Sequence, residues 1–350
     1  MDKKEKSFSG ELIFSEEDVR WDIVPLGVCF NEKGEQVKVG WNLIDCTNEI
    51  GYYPIKQMPS ILISGGTGSG KSILKEGIIT HLSKYPDKFQ LVGCDIQKVE
   101  FYTYMRDKFV DVLFDTNSTA LFLQKLKQIM FDRYELIDMH QVNNIHKIGL
   151  NDIVESDYYE IPYDNNLSLK KSCQYDTLFR VCINPEETNI VDRQYDILSI
   201  EEIYNILQVE EGSVNVYING QYYNLTKNDI KKTSDIYHPT DIVFVVNELI
   251  EIMSTHDANY KTIKDSLETI ARLGRVSGIH LVLVSQKPIK SVFTPDMQSN
   301  ITAIWMRNYD EDILNYLLDS KDISIINNPG IGVLQTNNGN IIQFQSYYWE

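Results

Sequence analysis

Residues Gly65 to Ser72 read GGTGSGKS and fit the spacing G-x-x-x-x-G-K-[ST]. The chemistry of that pattern belongs to the backbone. With no side chains at Gly65, Gly66, Gly68 and Gly70, N–H groups can turn inward around phosphate oxygens, at the positive end of the helix that follows. Thr67 and Ser69 complete the loop. Lys71 is placed to reach the β- and γ-phosphates, and the Ser72 hydroxyl to ligate Mg²⁺. The expected ligands are therefore ATP and Mg²⁺. A second group of candidates lies at Asn247-Glu248, after the apolar run Ile242 to Val246. A nucleotide-hydrolysing site of this kind normally carries Asp-Glu there, the aspartate for the Mg²⁺ shell and the glutamate for the attacking water. The Asn247 amide oxygen can still accept a hydrogen bond from a metal-bound water, but it brings no negative charge. Glu248 remains the general-base candidate. Gln286 ends a further apolar run and is expected to touch the γ-phosphate or the attacking water.

The elements that must position these residues are legible around them. Ile61, Leu62 and Ile63 read as a buried parallel strand, and ILKEGIITHLSKY after the loop spaces Ile73, Leu74, Ile78 and Leu82 as one helix face. Phe89 to Asp95 is a second apolar strand whose end delivers Asp95, where ligand chemistry gathers in open α/β sheets. Gln97, Lys98 and Glu100 follow it. A long amphipathic helix is expected from Ser118 to about Met139, carrying Arg133. Ile242 to Val246 and Gly278 to Pro288 supply the third and fourth strands, with His280 packed inside the latter. Upstream, WDIVPLGVCFNEKGEQVKVGWNLID reads as short strands broken at Asn31 to Gly34 and again at Gly40.

Composition limits the surroundings. Of 350 residues, 43% are hydrophobic and 24% charged, as in a soluble globular protein. No apolar run reaches the length of a bilayer span and the start lacks a signal-peptide core, so no membrane segment is expected. The five cysteines are far apart and form no C-x-x-C pair, which points to reduced thiols in a cytoplasmic protein. A net charge of −17 opposes broad contact with nucleic acid. Any DNA track must be a local patch or a pore.

Taken together these residues resemble the motor domain of the FtsK/SpoIIIE group of DNA translocases, which includes the related ATPase domains of type VII secretion motors. PLGVCFNEKGEQVKVGWNL with MPSILISGGTGSGKS looks like that family's lead-in and P-loop. CDIQKVEFYTY is similar to its D-P-K-x-x-E-L motif, and FDRYELIDMHQVNNIHKIG to its R-R-Y helix. IVFVVNELIEIM with IARLGRVSGIHLVLVSQKP resembles its Walker B and following strand, and NPGIGVLQ its P-G-R-G-x-L-Q. The chain departs at Asn247 for aspartate, at Gln97 for lysine (Lys98 is one place on), and at Ile331 for the arginine of P-G-R-G.

The resemblance implies a RecA-like P-loop NTPase with a mainly parallel sheet flanked by helices. It further implies a homo-oligomeric ring, usually a hexamer, in which a neighbour's arginine completes each site. Arg133, in the R-R-Y helix, is the first candidate, with Arg272 and Arg275 as alternatives. The expected activity is ATP hydrolysis coupled to movement of double-stranded DNA, with a protein-secretion motor or a weakly active regulatory subunit as the alternative. The loop KPIKSVFTPDMQSN, where the family projects toward its pore, offers Lys287 and Lys290 to DNA.

These readings divide the chain into a strand-rich lead-in over 1–55, the first part of the ATPase core over 56–150, an insertion over 151–234 and the rest of the core over 235–350. The insertion matches no family. Within it SIEEIYNILQ reads as a capped helix, and Asn219-Gly220 between alternating segments as a two-residue hairpin turn.

Overall fold

Apolar strands that end in glycine or in a polar residue set the architecture. The computed structural model describes residues 20–31, 33–43, 52–53, 59–101, 105–148, 155–162, 168–173, 178–182, 195–209, 212–218, 221–253, 257–286, 294–307, 328–335 and 341–348. The chain divides into two units, Met1–Lys84 with Val284–Glu350, and Tyr85–Leu283.

The first unit contains β1 (Ile23–Phe30), β2 (Gln36–Asn42), β3 (Ile61–Ser64), α1 (Lys71–Ser83), and, after the chain returns, α6 (Pro295–Asn300), β15 (Thr302–Met306), β16 (Ile331–Gln335) and β17 (Ile341–Ser346). Its sheet runs β2-β1-β17-β16-β15-β3. Strands β3 and β15 pair in parallel, with Leu62 opposite Ala303, whereas β1 with β2, β1 with β17, β15 with β16 and β16 with β17 pair antiparallel. Every residue of β3 is buried, as a parallel strand covered on both faces requires. The second break expected in the lead-in does not exist, because β2 runs through Gly40 to Asn42. A Cβ at Gly40 would lie 2.4 Å from Ile23 Cγ2, so this glycine marks a close approach within the sheet rather than a turn.

The second unit contains β4 (Phe89–Cys94), β5 (Asp111–Leu113), α2 (Thr116–Met139), β13 (Asp241–Val246), α4 (Leu249–Ile252), α5 (Tyr260–Leu273) and β14 (Ile279–Ser285, its last two residues belonging to the first unit). Strands β14-β13-β4-β5 are all parallel. Residues 241–246 and 279–285 are buried throughout. The long helix begins where Asp115 caps it by accepting the Ser118 N–H at 2.7 Å. Together with the first unit this gives the mixed α/β, RecA-like architecture.

The described residues between 155 and 236 belong to the second unit and form two sheets of their own. Strands β6 (Glu155–Pro162), β7 (Ser168–Cys173) and β12 (Lys231–Ile236) make one; β8 (Leu178–Cys182), β9 (Tyr195–Ser199), β10 (Val214–Ile218) and β11 (Gln221–Leu225) make the other. Helix α3 (Ile200–Val209) opens with the expected capping box: the Ser199 N–H donates to Glu202 Oε2 at 2.7 Å and the Glu202 N–H to Ser199 Oγ at 3.2 Å. Strands β10 and β11 pair with Ile218 opposite Gln221, as the hairpin reading requires, though Asn219 and Gly220 themselves lie outside the described residues. A core of Phe179, Val181, Ile203, Leu207 and Val216 fills the space beneath α3. Arg180 fastens these strands to β5, meeting Asp111 at 2.9 Å and lying 4.1 Å over the Tyr217 ring; Arg106 bonds the Tyr217 hydroxyl.

Candidate functional site

Strand β3 delivers the chain into the glycine-rich loop, and the Gly65 N–H donates to the Ser285 carbonyl at 3.3 Å. Gly68 (φ 73°) and Gly70 (φ 95°) hold left-handed backbone that side chains resist. A Cβ added at Gly66 or Gly68 would meet nothing within 4 Å, so the loop leaves a bare backbone surface on that side. At Gly70 it would lie 2.9 Å from the Gly330 nitrogen, so the other side is packed by backbone. Helix α1 then begins at Lys71, with Thr67 and Ser72 exposed and Ser69 buried. The Lys71 N–H points to Ser69 Oγ at 3.4 Å. An open cradle ahead of a 13-residue helix fits a phosphate chain, bound by backbone N–H groups and the helix dipole. Ser72 can offer one oxygen to Mg²⁺, an ion that keeps most of its shell as water and phosphate oxygen.

Gly330 is the site residue that the motif reading did not single out. Its N–H donates to the Ser69 carbonyl at 2.9 Å and its carbonyl accepts from Ser346 at 2.8 Å, which ties the loop to β17. The signal was the Pro-Gly pair ahead of an apolar run. The neighbouring Ile331 is buried at 8% exposure within β16, so the position where the resembled family has arginine holds a core residue in this chain.

In the second unit the end of β13 is polar as expected. The Asn247 N–H donates to the Cys94 carbonyl at 2.9 Å, extending the strand pairing by one residue. Its side-chain Nδ2 donates to Asp95 Oδ1 at 3.2 Å. Asp95 is buried, and its Oδ2 accepts from the N–H groups of Glu100 and Phe101 at 3.0 Å each. Glu248 follows, half-buried, at the start of α4. Gln97 donates to Glu251 at 3.0 Å, and Lys98 takes left-handed backbone (φ 57°) with its ammonium 5.6 Å from the Phe114 ring centre.

Arg133 is not placed to serve a neighbouring subunit. It is fully buried, and its guanidinium donates to the carbonyls of Ser277 and Thr240 at 2.7 Å each. Thr240 immediately precedes β13 while Asn247 follows its end, so the Thr240 carbonyl that holds Arg133 is about 23 Å from the polar end at roughly 3.3 Å per residue. It belongs to a cluster that also holds Asp241, which meets His280 at 2.9 Å and His146 at 3.0 Å. Burial alone would push the Asp241 carboxyl up, but the two histidines hold it well below the usual carboxylate range. His280 is thus a hydrogen-bonding partner of a buried carboxylate as well as a packed strand residue. Arg272 and Arg275 are exposed at the end of α5 and just beyond it. Gln286 is exposed directly after β14, and Lys287 and Lys290 lie outside the described residues.

Comparison with known proteins gives these geometries a context. A model described as the FtsK/SpoIIIE family matches residues 35–290. "DNA translocase FtsK" of Halalkalibacterium halodurans is 23% identical over 263 residues, covering 74% of this chain and 24% of that protein. "DNA translocase SpoIIIE" of Bacillus subtilis is 23% identical over 253 residues, covering 71% of this chain and 22% of that protein. The chain therefore spans about a quarter of the length of these relatives. Among solved structures, the pCW3 conjugation coupling protein TcpA, in a monomer form with ATPgS, aligns with TM-score 0.59 at 18% identity, covering 98% of this chain and 71% of that one. EssC (ATPases 2 and 3) from Geobacillus thermodenitrificans aligns with TM-score 0.58 at 13% identity, covering 98% and 47%. These likenesses establish the fold.

Proposed function

This chain belongs to the FtsK/SpoIIIE family, and on that premise we propose that it hydrolyses ATP to drive double-stranded DNA along a track; its relatives are named DNA translocases. The observation that carries the reading is the loop at Gly65 to Ser72, open at Gly66 and Gly68 and followed directly by Lys71 at the start of α1. In this reading the backbone of Gly65, Gly66, Thr67, Gly68, Ser69 and Gly70 holds the phosphates. Lys71 neutralises charge on the β- and γ-phosphates, and Ser72 and Asn247 are the candidates for the Mg²⁺ shell. Mg²⁺, when bound, supplies charge neutralisation at the transferred phosphoryl group. Glu248 takes the proton of the attacking water, and Gln286 contacts the γ-phosphate or that water.

The protein acts as a ring of identical subunits, a hexamer by analogy with the family, in the cytoplasm. Because Arg133 is spent on internal carbonyls, Arg272 or Arg275 is the arginine offered across the subunit boundary. Lys287 and Lys290 supply the DNA contacts. With a net charge of −17, few phosphate contacts are available, so binding is weak and falls with salt. The test is steady-state ATP hydrolysis with and without linear duplex DNA. Stimulation that Lys290→Glu removes without lowering the basal rate supports the reading. A basal rate indifferent to duplex DNA refutes DNA as the substrate.

A further inference from the structure

The side chain of Asn247 has two ends of opposite hydrogen-bonding character, and Asp95 decides which one faces where. An ionised carboxylate only accepts, so the atom that meets Asp95 Oδ1 at 3.2 Å must be the amide nitrogen. The amide oxygen is thereby turned away from Asp95. Asp95 is itself immobilised: it is buried, its Oδ2 accepts from Glu100 and Phe101, its own N–H donates to the Leu113 carbonyl at 2.9 Å, and its carbonyl accepts from Lys98 at 3.0 Å. The Asn247 backbone is fixed as well, by its bond to Cys94.

We infer that Asp95 and Asn247 work as one unit in which Asp95 is a positioning residue for the metal-facing oxygen of Asn247. Position 247 itself brings no carboxylate, and the carboxylate beside it is that of Asp95, one strand over at the end of β4. There it acts through the amide: it fixes the amide's orientation and, by attracting the N–H, raises the electron density on the oxygen at its other end. Two consequences are built into the geometry. A carboxylate at 247 would face the Asp95 carboxylate at hydrogen-bond distance with no proton between them, which is unfavourable unless a cation or a proton intervenes. An amide at 95 would use its oxygen for Glu100 and Phe101 and present its N–H₂ to the N–H₂ of Asn247. The Asn247 amide would then have to turn over and direct donors, not an acceptor, toward the metal. Exchanging the two residues avoids both conflicts, because the amide at 95 would donate to the carboxylate at 247 while keeping its bonds to the Glu100 and Phe101 backbone.

This inference rests on the nucleotide site proposed above, and the test separates the two. The full chain is titrated with Mg²⁺ in the presence of a fluorescent ATP analogue, and its melting temperature is recorded in EDTA and in Mg²⁺. Asp95→Asn should raise the Mg²⁺ midpoint for nucleotide binding about tenfold, the usual size of a loss of support behind a ligand. The exchange, Asp95→Asn with Asn247→Asp, should return the midpoint to within about threefold of the parent, since the pair re-forms. Asn247→Asp alone, which leaves every backbone bond of Asp95 in place, should melt roughly 3–6 °C lower in EDTA and recover in Mg²⁺. If Asp95 merely caps the 96–101 segment, Asp95→Asn will lower the melting temperature and leave the Mg²⁺ midpoint where it was, which overturns the inference. An Asn247→Asp protein that melts with the parent in EDTA overturns it as well, even should Asp95→Asn fail to fold. A parent that binds no nucleotide in Mg²⁺ removes the underlying site and this inference together.

Discussion

The N–H of Gly330 donates to the carbonyl of Ser69 at 2.9 Å, so the loop beginning at Gly65 is backed by the main chain that enters β16. The contact is close because neither Gly330 nor Gly70 carries a side chain, and both hold left-handed backbone, at φ 78° and 95°. Gly70→Ala should lose nucleotide binding, since its Cβ would meet the Gly330 nitrogen at 2.9 Å. Gly330→Ala has more room, the nearest atom being Ser346 Oγ at 3.5 Å, and should cost about 1–2 kcal/mol for the left-handed backbone alone. Melting temperature and nucleotide affinity of the two variants check this order.

Glu248→Gln should preserve ATP affinity while lowering turnover about a hundredfold or more, because it removes the base and leaves the phosphate cradle intact. A single-turnover measurement with bound ATP distinguishes a lost chemical step from slow product release. Hydrolysis at the parent rate would exclude Glu248 as the base.

Arg133→Ala should act on the fold. Loss of the guanidinium leaves the carbonyls of Ser277 and Thr240 without that donor in a buried site, at a cost of about 3 kcal/mol or more. Arg272→Ala or Arg275→Ala should instead leave stability within about 0.5 kcal/mol of the parent, as surface substitutions do. One of the two should lower turnover by about a thousandfold at unchanged nucleotide affinity, as loss of an arginine supplied in trans does. Denaturant melts and turnover on the same samples separate the two kinds of effect.

Two buried groups give opposite dependences on pH. Burial pushes His81 down to about 4, against its bond to the Arg20 carbonyl, so its folded pKa lies below the ordinary 6.5. Stability from that site is present above pH 6.5 and is lost as pH falls toward 4, by at most about 1.4 kcal/mol per unit. Burial pushes Asp111 up to about 6, more than Arg180 pulls it down. Its contribution is full below the ordinary carboxylate pKa and is lost as pH rises through about 6. The two slopes oppose each other between pH 4 and 6, so the parent profile is expected to be shallow. His81→Gln should make stability fall more steeply with rising pH over that interval, and Asp111→Asn should make it rise more steeply. Unfolding free energies of the three proteins from pH 4 to 7 check the signs.

Much of the site was legible because phosphate binding at a P-loop is written in glycines at fixed spacing and in the apolar strand before them. Gly65 to Ser72, β13 ending in Asn247-Glu248, and the capping box at Ser199 and Glu202 all follow local rules that a sequence displays. What escaped was set by packing between distant segments. Gly40 has the same letter whether it breaks a strand or admits the Ile23 side chain. Arg133 has the spacing of a functional arginine, yet its partners, Thr240 and Ser277, lie more than a hundred positions away and convert it to an internal brace. Likewise the substitution at Asn247 looked like a loss of charge until Asp95 stood beside it, 152 positions earlier in the chain.

Displacement of a third strand reads out whether ATP hydrolysis by this chain moves duplex DNA. A short triplex-forming oligonucleotide is annealed to linear duplex DNA, and its release is followed on adding protein, ATP and Mg²⁺. ATP-dependent release is expected from the parent, none from Lys71→Ala, in which the phosphates lose their P-loop cation, and none from Glu248→Gln. Parent protein that hydrolyses ATP at a rate raised by DNA yet never releases the strand would rule out translocation of duplex DNA.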